Sequence, residues 1–265
     1  MSELLTLGAW ALSVALGLPF LAWLVYLATD RADWIDVAWA FSLGGLAALF
    51  AVMGHGDPGR RLLMGAVGGL WGLRLGLHLG LRVAFHGRED GRYTQLRADW
   101  GRNLRWKFLG FFLLQGVLNL LLGLPFLFAA FAPGSGIPWW AWTGAALTAA
   151  AIAGEGLADH QLRAFKADPG NRGQVCRRGL WGWSRHPNYF FEWLVWIGFA
   201  LAAQGTAWAL LAFLAPALIL HFLLRVTGIP ATEAQSLRTK GEAYRRYQRE
   251  VSPFLPLPPK PQELS

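Results

Sequence analysis

The chain has 265 residues, of which 54% are hydrophobic and 15% are charged, and its mean hydropathy is +0.34. Soluble domains average about 45–50% apolar and about 25% charged residues. This composition, with 15 tryptophans, excludes a disordered chain, a collagen and a nucleic-acid-binding domain despite the net charge of +8. It indicates an integral membrane protein with a single core.

Seven apolar stretches approach the roughly 20 residues that a helix needs to cross the hydrocarbon of a bilayer. The sequence therefore predicts an all-α, polytopic membrane protein. The first stretch follows Met1-Ser2-Glu3, which contains no Lys or Arg, so we expect a retained span rather than a cleaved signal peptide. The seven predicted spans are about Leu4–Ala28, Val37–Met53, Leu62–Phe85, Phe108–Phe131, Trp139–Asp159, Tyr189–Ala203 and Ala207–Val226.

These spans are expected to form one domain over residues 1–255. Residues 256–265 belong to a Pro-rich tail, which we expect to be extended and frayed. No repeat, low-complexity segment or linker divides the chain.

Basic residues are concentrated in alternate loops. Residues 84–107 and 160–187 carry six Lys or Arg each, and the tail from Arg225 carries seven. The loops at 132–138 and 204–206 carry none. Because positively charged loops stay in the cytoplasm, we expect the N-terminus outside and the C-terminus inside a bacterial inner membrane. The same loops would attract anionic lipid or line a site for a phosphorylated cofactor.

The third predicted span contains three basic residues, and ionisable residues inside a span are candidates for function. Arg74, His78 and Arg82 recur every four residues and therefore share one helix face. Arg74 lies too deep to reach the surface, so it needs a buried acid, a water-filled cavity or an anionic ligand. Glu155 and Asp159, on the fifth predicted span, are the acids expected to pair with Arg74 and Arg82.

Small and polar residues on the spans predict helix packing. Gly72, Gly76 and Gly80 recur every four residues, a spacing that lets a second helix approach closely. Gln115 and Asn119 share a face of the fourth predicted span, where we expect interhelical hydrogen bonds.

The stretch from 179 to 196, GLWGWSRHPNYFFEWLVW, carries the most information. Pro187 predicts the first turn of a helix, where its missing N–H costs nothing. Arg185 and His186 then lie at a helix N-terminus, which attracts anions.

One face of that helix is polar. Asn188, Glu192 and Trp196 recur every four residues and offer an amide, a carboxylate and an aromatic plane. The set could hold a nicotinamide carboxamide, a ribose hydroxyl and a flat ring. It could equally form a buried carboxylate that is capped by Asn and packed on Trp. The absence of Gly-x-Gly-x-x-Gly after a strand excludes a Rossmann module.

At this stretch the chain resembles the superfamily of steroid 5α-reductases, sterol C14 and C7 reductases and isoprenylcysteine methyltransferases. Within it, the chain is most similar to the bacterial membrane proteins grouped with steroid 5α-reductases. The resemblance covers about residues 30–255. Further matching segments are Asp36-Val37-Ala38-Trp39, Trp71-Gly72-Leu73-Arg74, Glu89-Asp90-Gly91-Arg92-Tyr93 and Gly241-Glu242-Ala243-Tyr244-Arg245-Arg246-Tyr247.

The resemblance implies a seven-helix reductase that binds NADPH in a cavity open to the cytoplasm. It implies that Asp159 and Lys166 contact the cofactor, Lys166 at a phosphate, and that Arg74 and His78 lie on a helix facing it. The full set implied for cofactor binding is Arg74, Asp159, Arg163, Lys166, Arg172, Arg185, His186, Asn188, Tyr189, Glu192, Trp196, Arg225 and Tyr244.

The implied reaction reduces a C=C bond conjugated to a carbonyl in a flat, lipophilic, steroid-like or isoprenoid-like substrate, as 3-oxo-5α-steroid 4-dehydrogenases do. The family's Gln-Glu pair and Tyr, which hold the ketone, are replaced, with Asp36 nearest the Glu and Trp71 at the Tyr position. Asp36, kept protonated by apolar surroundings, His78 and Tyr93 are therefore the catalytic candidates. No metal is expected, and the single cysteine, Cys176, excludes a Cys-based site.

Two alternatives compete with the reductase. An S-adenosylmethionine-dependent methyltransferase of the isoprenylcysteine type shares the Arg-His-Pro-x-Tyr run. A non-catalytic lipid-binding relative would explain the replaced Gln-Glu pair and Tyr. The expected partners are a lipophilic substrate from the bilayer and membrane lipids, without nucleic acid, and the sequence leaves the oligomeric state open.

Overall fold

A computed structural model of the chain describes residues 2–85, 87 and 89–260. Over these residues the protein is helical and has no strand, apart from one isolated bridge between Ser184 and Ser252. The predicted all-α class is confirmed for the described part. The α-helices are α1 (Ser2–Thr29), α2 (Trp34–Met53), α3 (Pro58–Phe85), α4 (Gly91–Trp100), α5 (Leu104–Leu122), α6 (Leu124–Phe131), α7 (Trp139–Ala167), α8 (Pro187–Ala202), α9 (Leu214–His221), α10 (Ile229–Lys240) and α11 (Glu242–Glu250).

Five helical segments of the described chain are long and apolar enough to cross a membrane. The molecule therefore has the character of an integral membrane protein. The two remaining predicted spans correspond to α7 and α8, and α8 has 16 residues, fewer than a bilayer crossing usually takes. The five segments are Glu3–Thr29, Trp34–Met53, Pro58–Phe85, Leu104–Phe131 and Ala209–Lys240.

The last of these segments is not a uniform α-helix. A 3-10 turn at Ala209–Phe213 precedes α9, and a π-helical turn at Phe222–Val226 follows it. The N–H of Thr227 donates to the carbonyl of Phe222, five residues earlier, at 3.0 Å. π turns inside helices are frequent at functional sites, and Arg225, a predicted cofactor residue, lies on this one.

The chain divides into two compact units. The first unit comprises Met1–Ala145 and Phe199–Ala215, and the second comprises Ala146–Gly198 and Pro216–Ser265.

In the first unit, α2 packs closely against α3 along a row of small residues. A Cβ placed on Gly72 would lie 2.6 Å from the Cα of Gly44, and one on Gly76 would lie 2.8 Å from the ring of Phe41. A side chain at Gly72 would require the backbone of α2 to move, and one at Gly76 would require the Phe41 ring to move. The predicted packing role of the glycine row is confirmed at these two positions, whereas a Cβ on Gly80 would make only ordinary contact.

In the second unit, the segment after α11 is held against the loop before α8. The hydroxyl of Ser184 donates to the carbonyl of Phe254 at 2.8 Å. The N–H of Leu257 donates to the carbonyl of Trp183 at 3.0 Å, and that of Lys260 to Glu250 at 2.8 Å. The tail is extended as predicted, but the expectation of fraying is wrong up to Lys260. Composition predicted its conformation and could not predict these long-range acceptors.

Candidate functional site

Helix α8 begins at Pro187, as predicted. The hydroxyl of Ser184 accepts a hydrogen bond from the N–H of His186 at 3.1 Å, directly before the first turn of the helix. Proline suits this position because it has no N–H to satisfy. Asn188, Glu192 and Trp196 are four residues apart on α8 and form its polar face.

The polar face of α8 is connected to α7. The side-chain amide of Asn188 donates to Asp159 Oδ1 at 3.3 Å, and both residues are half-buried. One turn further along α8, Trp196 Nε1 donates to Glu192 Oε1 at 3.0 Å. Because Trp196 is fully buried, it serves here to orient the Glu192 carboxylate. The arrangement leaves an amide and two carboxylates along one face of otherwise apolar helices.

A second cluster centres on Glu233 of α10. Arg185 Nε donates to Glu233 Oε1 at 2.7 Å, and Gln248 Nε2 donates to Oε2 at 2.7 Å. His186 Nε2 lies 3.3 Å from Oε1, and the hydroxyl of Tyr244 lies 3.5 Å from it. Burial, reinforced by the Glu233 carboxylate, raises the pKa of Tyr244 above its ordinary value. Tyr244 therefore stays protonated and able to donate.

Four residues of the predicted cofactor set take part in this cluster or pack against it. Arg185, His186 and Tyr244 are all buried. Arg185 Nη1 also donates to the backbone carbonyls of Gln248 and Val251. Tyr189 stacks on His186 with 5.3 Å between the ring centroids. These contacts hold the start of α8 against α10 and α11, and the role of the four residues in cofactor binding stays a prediction.

Four other basic residues of the predicted set, Arg163, Lys166, Arg172 and Arg225, have no acidic partner in the described part of the chain. Within the described residues no acid forms an ion pair with any of the four, and all four side chains are exposed. Lys166 also lies close enough to Lys240 for the two like charges to repel. By contrast, Arg177 pairs with Glu250, and Arg245 and Arg249 with Glu242. Arg178, Arg238 and Arg246 of the same unit are likewise exposed and form no ion pair among the described residues.

The predicted catalytic acid, Asp36, lies in an ion cluster of the first unit. Its carboxylate accepts hydrogen bonds from the hydroxyl of Tyr93 at 2.6 Å and from Arg92 Nη2 at 2.7 Å. Arg82 Nη2 lies 3.7 Å from the same carboxylate, and Asp90 also pairs with Arg82 and Arg92. Asp36 thus accepts hydrogen bonds from two side chains of α4, and its catalytic role stays a prediction.

Tyr93 is buried beneath this cluster on α4. Burial, followed by the Asp36 carboxylate, raises the pKa of Tyr93 well above its ordinary value. The pKa of Arg92 is also raised, chiefly by Asp36. At neutral pH Tyr93 is therefore a neutral phenol, and its hydroxyl donates to Asp36.

The other residues of the predicted site on α3 are Arg74 and His78, both half-buried. The expected pairing of Arg74 and Arg82 with Glu155 and Asp159 joins the two units and stays a prediction. Trp71, which stands at the family's Tyr position, is fully buried. It makes edge contacts with Trp39 and Phe199 at centroid distances of 5.9 and 5.7 Å.

Sequence reasoning missed two residues that shape the site. Glu233 lies 48 residues after Arg185, and nothing in the local pattern marks it as the acceptor. Lys240 ends α10 and lies near Lys166 of α7. No local sequence pattern marks either residue, because both contacts depend on the tertiary structure.

Two comparisons with known proteins bear on this arrangement. The sequence profile of a family described as "Protein of unknown function (DUF1295)" matches residues 22–251. An uncharacterized protein of the fission yeast Schizosaccharomyces pombe is 28% identical, over 88% of this chain and 75% of the yeast protein. Both matches extend across the two units.

Proposed function

Because the chain belongs to the DUF1295 family, which includes steroid 5α-reductase-like membrane proteins, we propose that it is an NADPH-dependent membrane reductase. Its reaction is reduction of a C=C bond conjugated to a carbonyl in a flat, lipophilic, steroid-like or isoprenoid-like molecule. The observation that carries the proposal is the group of exposed basic residues without acidic partners in the described part of the second unit, which also contains the polar face of α8.

The charge of the second unit fits a polyanionic cofactor. Residues 146–198 and 216–265 contain thirteen Lys and Arg but eight Asp and Glu. NADPH carries a pyrophosphate and a 2′-phosphate, and Arg and Lys are the usual partners of such groups. Arg163, Lys166, Arg172 and Arg225 would hold the phosphates. Lys240, close to Lys166, adds a charge that a phosphate would offset.

The polar face of α8 fits the uncharged parts of the same cofactor. The Asp159 and Glu192 carboxylates can accept hydrogen bonds from ribose hydroxyls. The Asn188 amide can pair with a carboxamide, and its hydrogen bond to Asp159 sets its orientation. Trp196 contributes through Glu192, since the indole is fully buried.

When bound, NADPH supplies a hydride to the β carbon of the conjugated system. The protein must orient both reactants, exclude water and provide a proton donor for the developing enolate. The donor candidates are Asp36, His78 and Tyr93, and the hydroxyl of Tyr93 is hydrogen-bonded to Asp36.

The excess of basic residues in the second unit also bears on orientation in the membrane. Segments rich in Lys and Arg stay on the cytoplasmic side. We therefore place the cofactor site in the cytoplasm, as expected for seven spans in a bacterial inner membrane.

Ligand-dependent thermal stabilisation of the detergent-solubilised protein tests this function. NADPH, NADH and S-adenosylmethionine are compared on the wild type, on Lys166→Ala and on Arg245→Ala. We expect NADPH to raise the melting temperature more than NADH, because only NADPH carries the 2′-phosphate. Lys166→Ala should lose at least about tenfold in NADPH affinity, equivalent to about 1.4 kcal/mol.

Arg245→Ala is the matched control, because it removes an exposed charge that is already paired with Glu242. It should respond to NADPH as the wild type does. Stabilisation by S-adenosylmethionine alone would replace the reductase with a methyltransferase. A folded protein that responds to none of the three ligands would favour a non-catalytic lipid-binding relative.

A further inference from the structure

A separate pocket lies in the first unit, at the N-terminal end of α3. Its volume is about 440 Å³. The pocket is lined by Arg60, by the loop of residues 133–138, by Trp140 and by Gly205. None of these residues belongs to the proposed cofactor site.

Arg60 is the charged group of this pocket. It is only 3% exposed. Its Nη2 donates to the carbonyl of Gln204, whereas its buried Nε has no hydrogen-bond partner in the described chain. No carboxylate lies within ion-pair distance of the guanidinium among the described residues. Asp57 attracts the guanidinium only from beyond ion-pair distance, so the buried charge is incompletely compensated and the pocket favours an anion.

The acid nearest in sequence is occupied with the backbone. Asp57 Oδ1 accepts from the N–H of Arg60 at 2.9 Å, and Oδ2 accepts from the N–H of Gly136 at 2.8 Å. These two backbone donors, Gly136 first, lower the pKa of the Asp57 carboxyl. Asp57 therefore fixes the loop that lines the pocket while both of its oxygens are engaged.

The loop itself is built for this conformation. Gly134 and Gly136 have φ angles of +137° and +98°, which side-chain-bearing residues rarely adopt. Gly205 has φ +114°, and a Cβ there would lie 2.8 Å from Arg60 Nη1. Glycine at position 205 therefore lets the Arg60 guanidinium pack directly against this loop.

The pocket lies at the end of a candidate membrane span. Arg60 lies two residues after Pro58, where a candidate membrane span begins. Trp139 and Trp142, at the start of α7, are 74% and 54% exposed. Tryptophans are enriched at the level of lipid headgroups, so this end of α3 is suited to a membrane interface.

We propose that the Arg60 pocket binds a phosphate group, carried by a phospholipid headgroup or by a small soluble phosphate. The planar guanidinium matches phosphate oxygens in geometry and charge. The neighbouring arginine, Arg61, does not line the pocket and donates to the carbonyl of Gly54. His55, beside Glu3 at 3.6 Å, is the remaining titratable neighbour at this end.

Calorimetric titration of the full-length protein in a phosphate-free, uncharged detergent tests the proposal. The probes are dihexanoyl phosphatidylglycerol, inorganic phosphate, dihexanoylglycerol and acetate. We expect saturable binding of at least one phosphate-bearing probe and none of dihexanoylglycerol. Arg60→Gln should weaken this binding at least about tenfold, whereas Arg61→Gln, which removes a charge outside the pocket lining, should change it less than about twofold.

The pattern of binding identifies the source. Binding of the phospholipid alone supports a headgroup site, binding of phosphate alone supports a soluble ester, and binding of both supports the shared phosphate chemistry. Binding of acetate as tight as that of the phosphate probes would overturn the assignment, as would no binding of either phosphate probe.

A second variant covers the case in which Arg60→Gln does not fold, since Arg60 also donates to Gln204. Ile137→Trp fills the pocket from its lining loop and leaves Arg60 and Asp57 unchanged. Circular dichroism and gel filtration establish that it folds. It should abolish phosphate binding, and unaltered binding in this variant would contradict the proposed location.

Discussion

Arg185 and Glu233, which are 48 residues apart in the sequence, form an ion pair of 2.7 Å that joins the start of α8 to α10. Arg185 is buried, and Glu233 receives three further polar contacts from His186, Tyr244 and Gln248. The pair therefore positions the helix that carries Asn188 and Glu192, and it does so without occupying the polar face of that helix.

Glu233→Ala should destabilise the protein strongly. It leaves the buried Arg185 charge without its carboxylate, and breaking such a pair costs about 3–5 kcal/mol in the free energy of unfolding. Thermal denaturation in detergent measures the effect. Glu242→Ala removes an exposed carboxylate of α11 that also pairs with arginines, and its melting temperature should remain close to that of the wild type. Equal losses in the two variants would disprove a structural role for Glu233.

Gly72→Ala should destabilise the contact between α2 and α3. The added Cβ would lie 2.6 Å from the Cα of Gly44 and 2.8 Å from the carbonyl of Ala40. Backbone atoms must move to admit it, which we expect to cost about 1–3 kcal/mol. Gly69→Ala is the matched control, since a Cβ there meets nothing within 4 Å. That variant should keep or slightly raise the melting temperature, because Ala is a better helix former than Gly.

Much of this packing could be predicted from local spacing. The glycine row and the start of α8 at Pro187 follow from i, i+4 periodicity and from the properties of proline at a first turn. The role of Arg185 could not be predicted in this way. The same residue at a helix N-terminus suits either an external phosphate or an internal carboxylate, and only the tertiary placement of Glu233 decides between them. The partners of Asp36 could not be predicted for the same reason, because Arg82 and Arg92 come from other helices.

Tyr93 should make the stability of the protein depend on alkaline pH. Burial and the Asp36 carboxylate raise its pKa in the folded state, so the native protein holds this proton more tightly than the unfolded chain. The resulting stability is complete below the ordinary tyrosine pKa of about 10 and is lost as pH rises toward the folded-state pKa.

Melting temperatures between pH 8 and 11 measure this dependence. Tyr93→Phe should melt at a lower temperature at pH 8, because Asp36 loses a hydrogen bond of 2.6 Å. It should also show a shallower decline above pH 10 than the wild type. An identical alkaline decline in both proteins would exclude Tyr93 as its source.

Truncation of the C-terminus should show that residues 256–260 contribute to the stability of the protein. A chain ending at Leu255 loses the hydrogen bonds from Leu257 to Trp183 and from Lys260 to Glu250. At about 1 kcal/mol for each hydrogen bond, the free energy of unfolding should fall by about 2 kcal/mol. A chain ending at Lys260 keeps both bonds and should melt with the full-length protein. Equal stability of the two truncations would restore the expectation of a frayed tail.

Hydrogen–deuterium exchange with and without NADPH tests the central claim most directly, because it locates the ligand without requiring a known substrate. We expect slower exchange at saturating NADPH in the peptides that cover residues 159–172 and 188–196 and the π turn around Arg225. Peptides of the Arg60 pocket should exchange as in the unliganded protein. Unchanged exchange in the second unit, or protection confined to the first, would contradict an NADPH site among these basic residues.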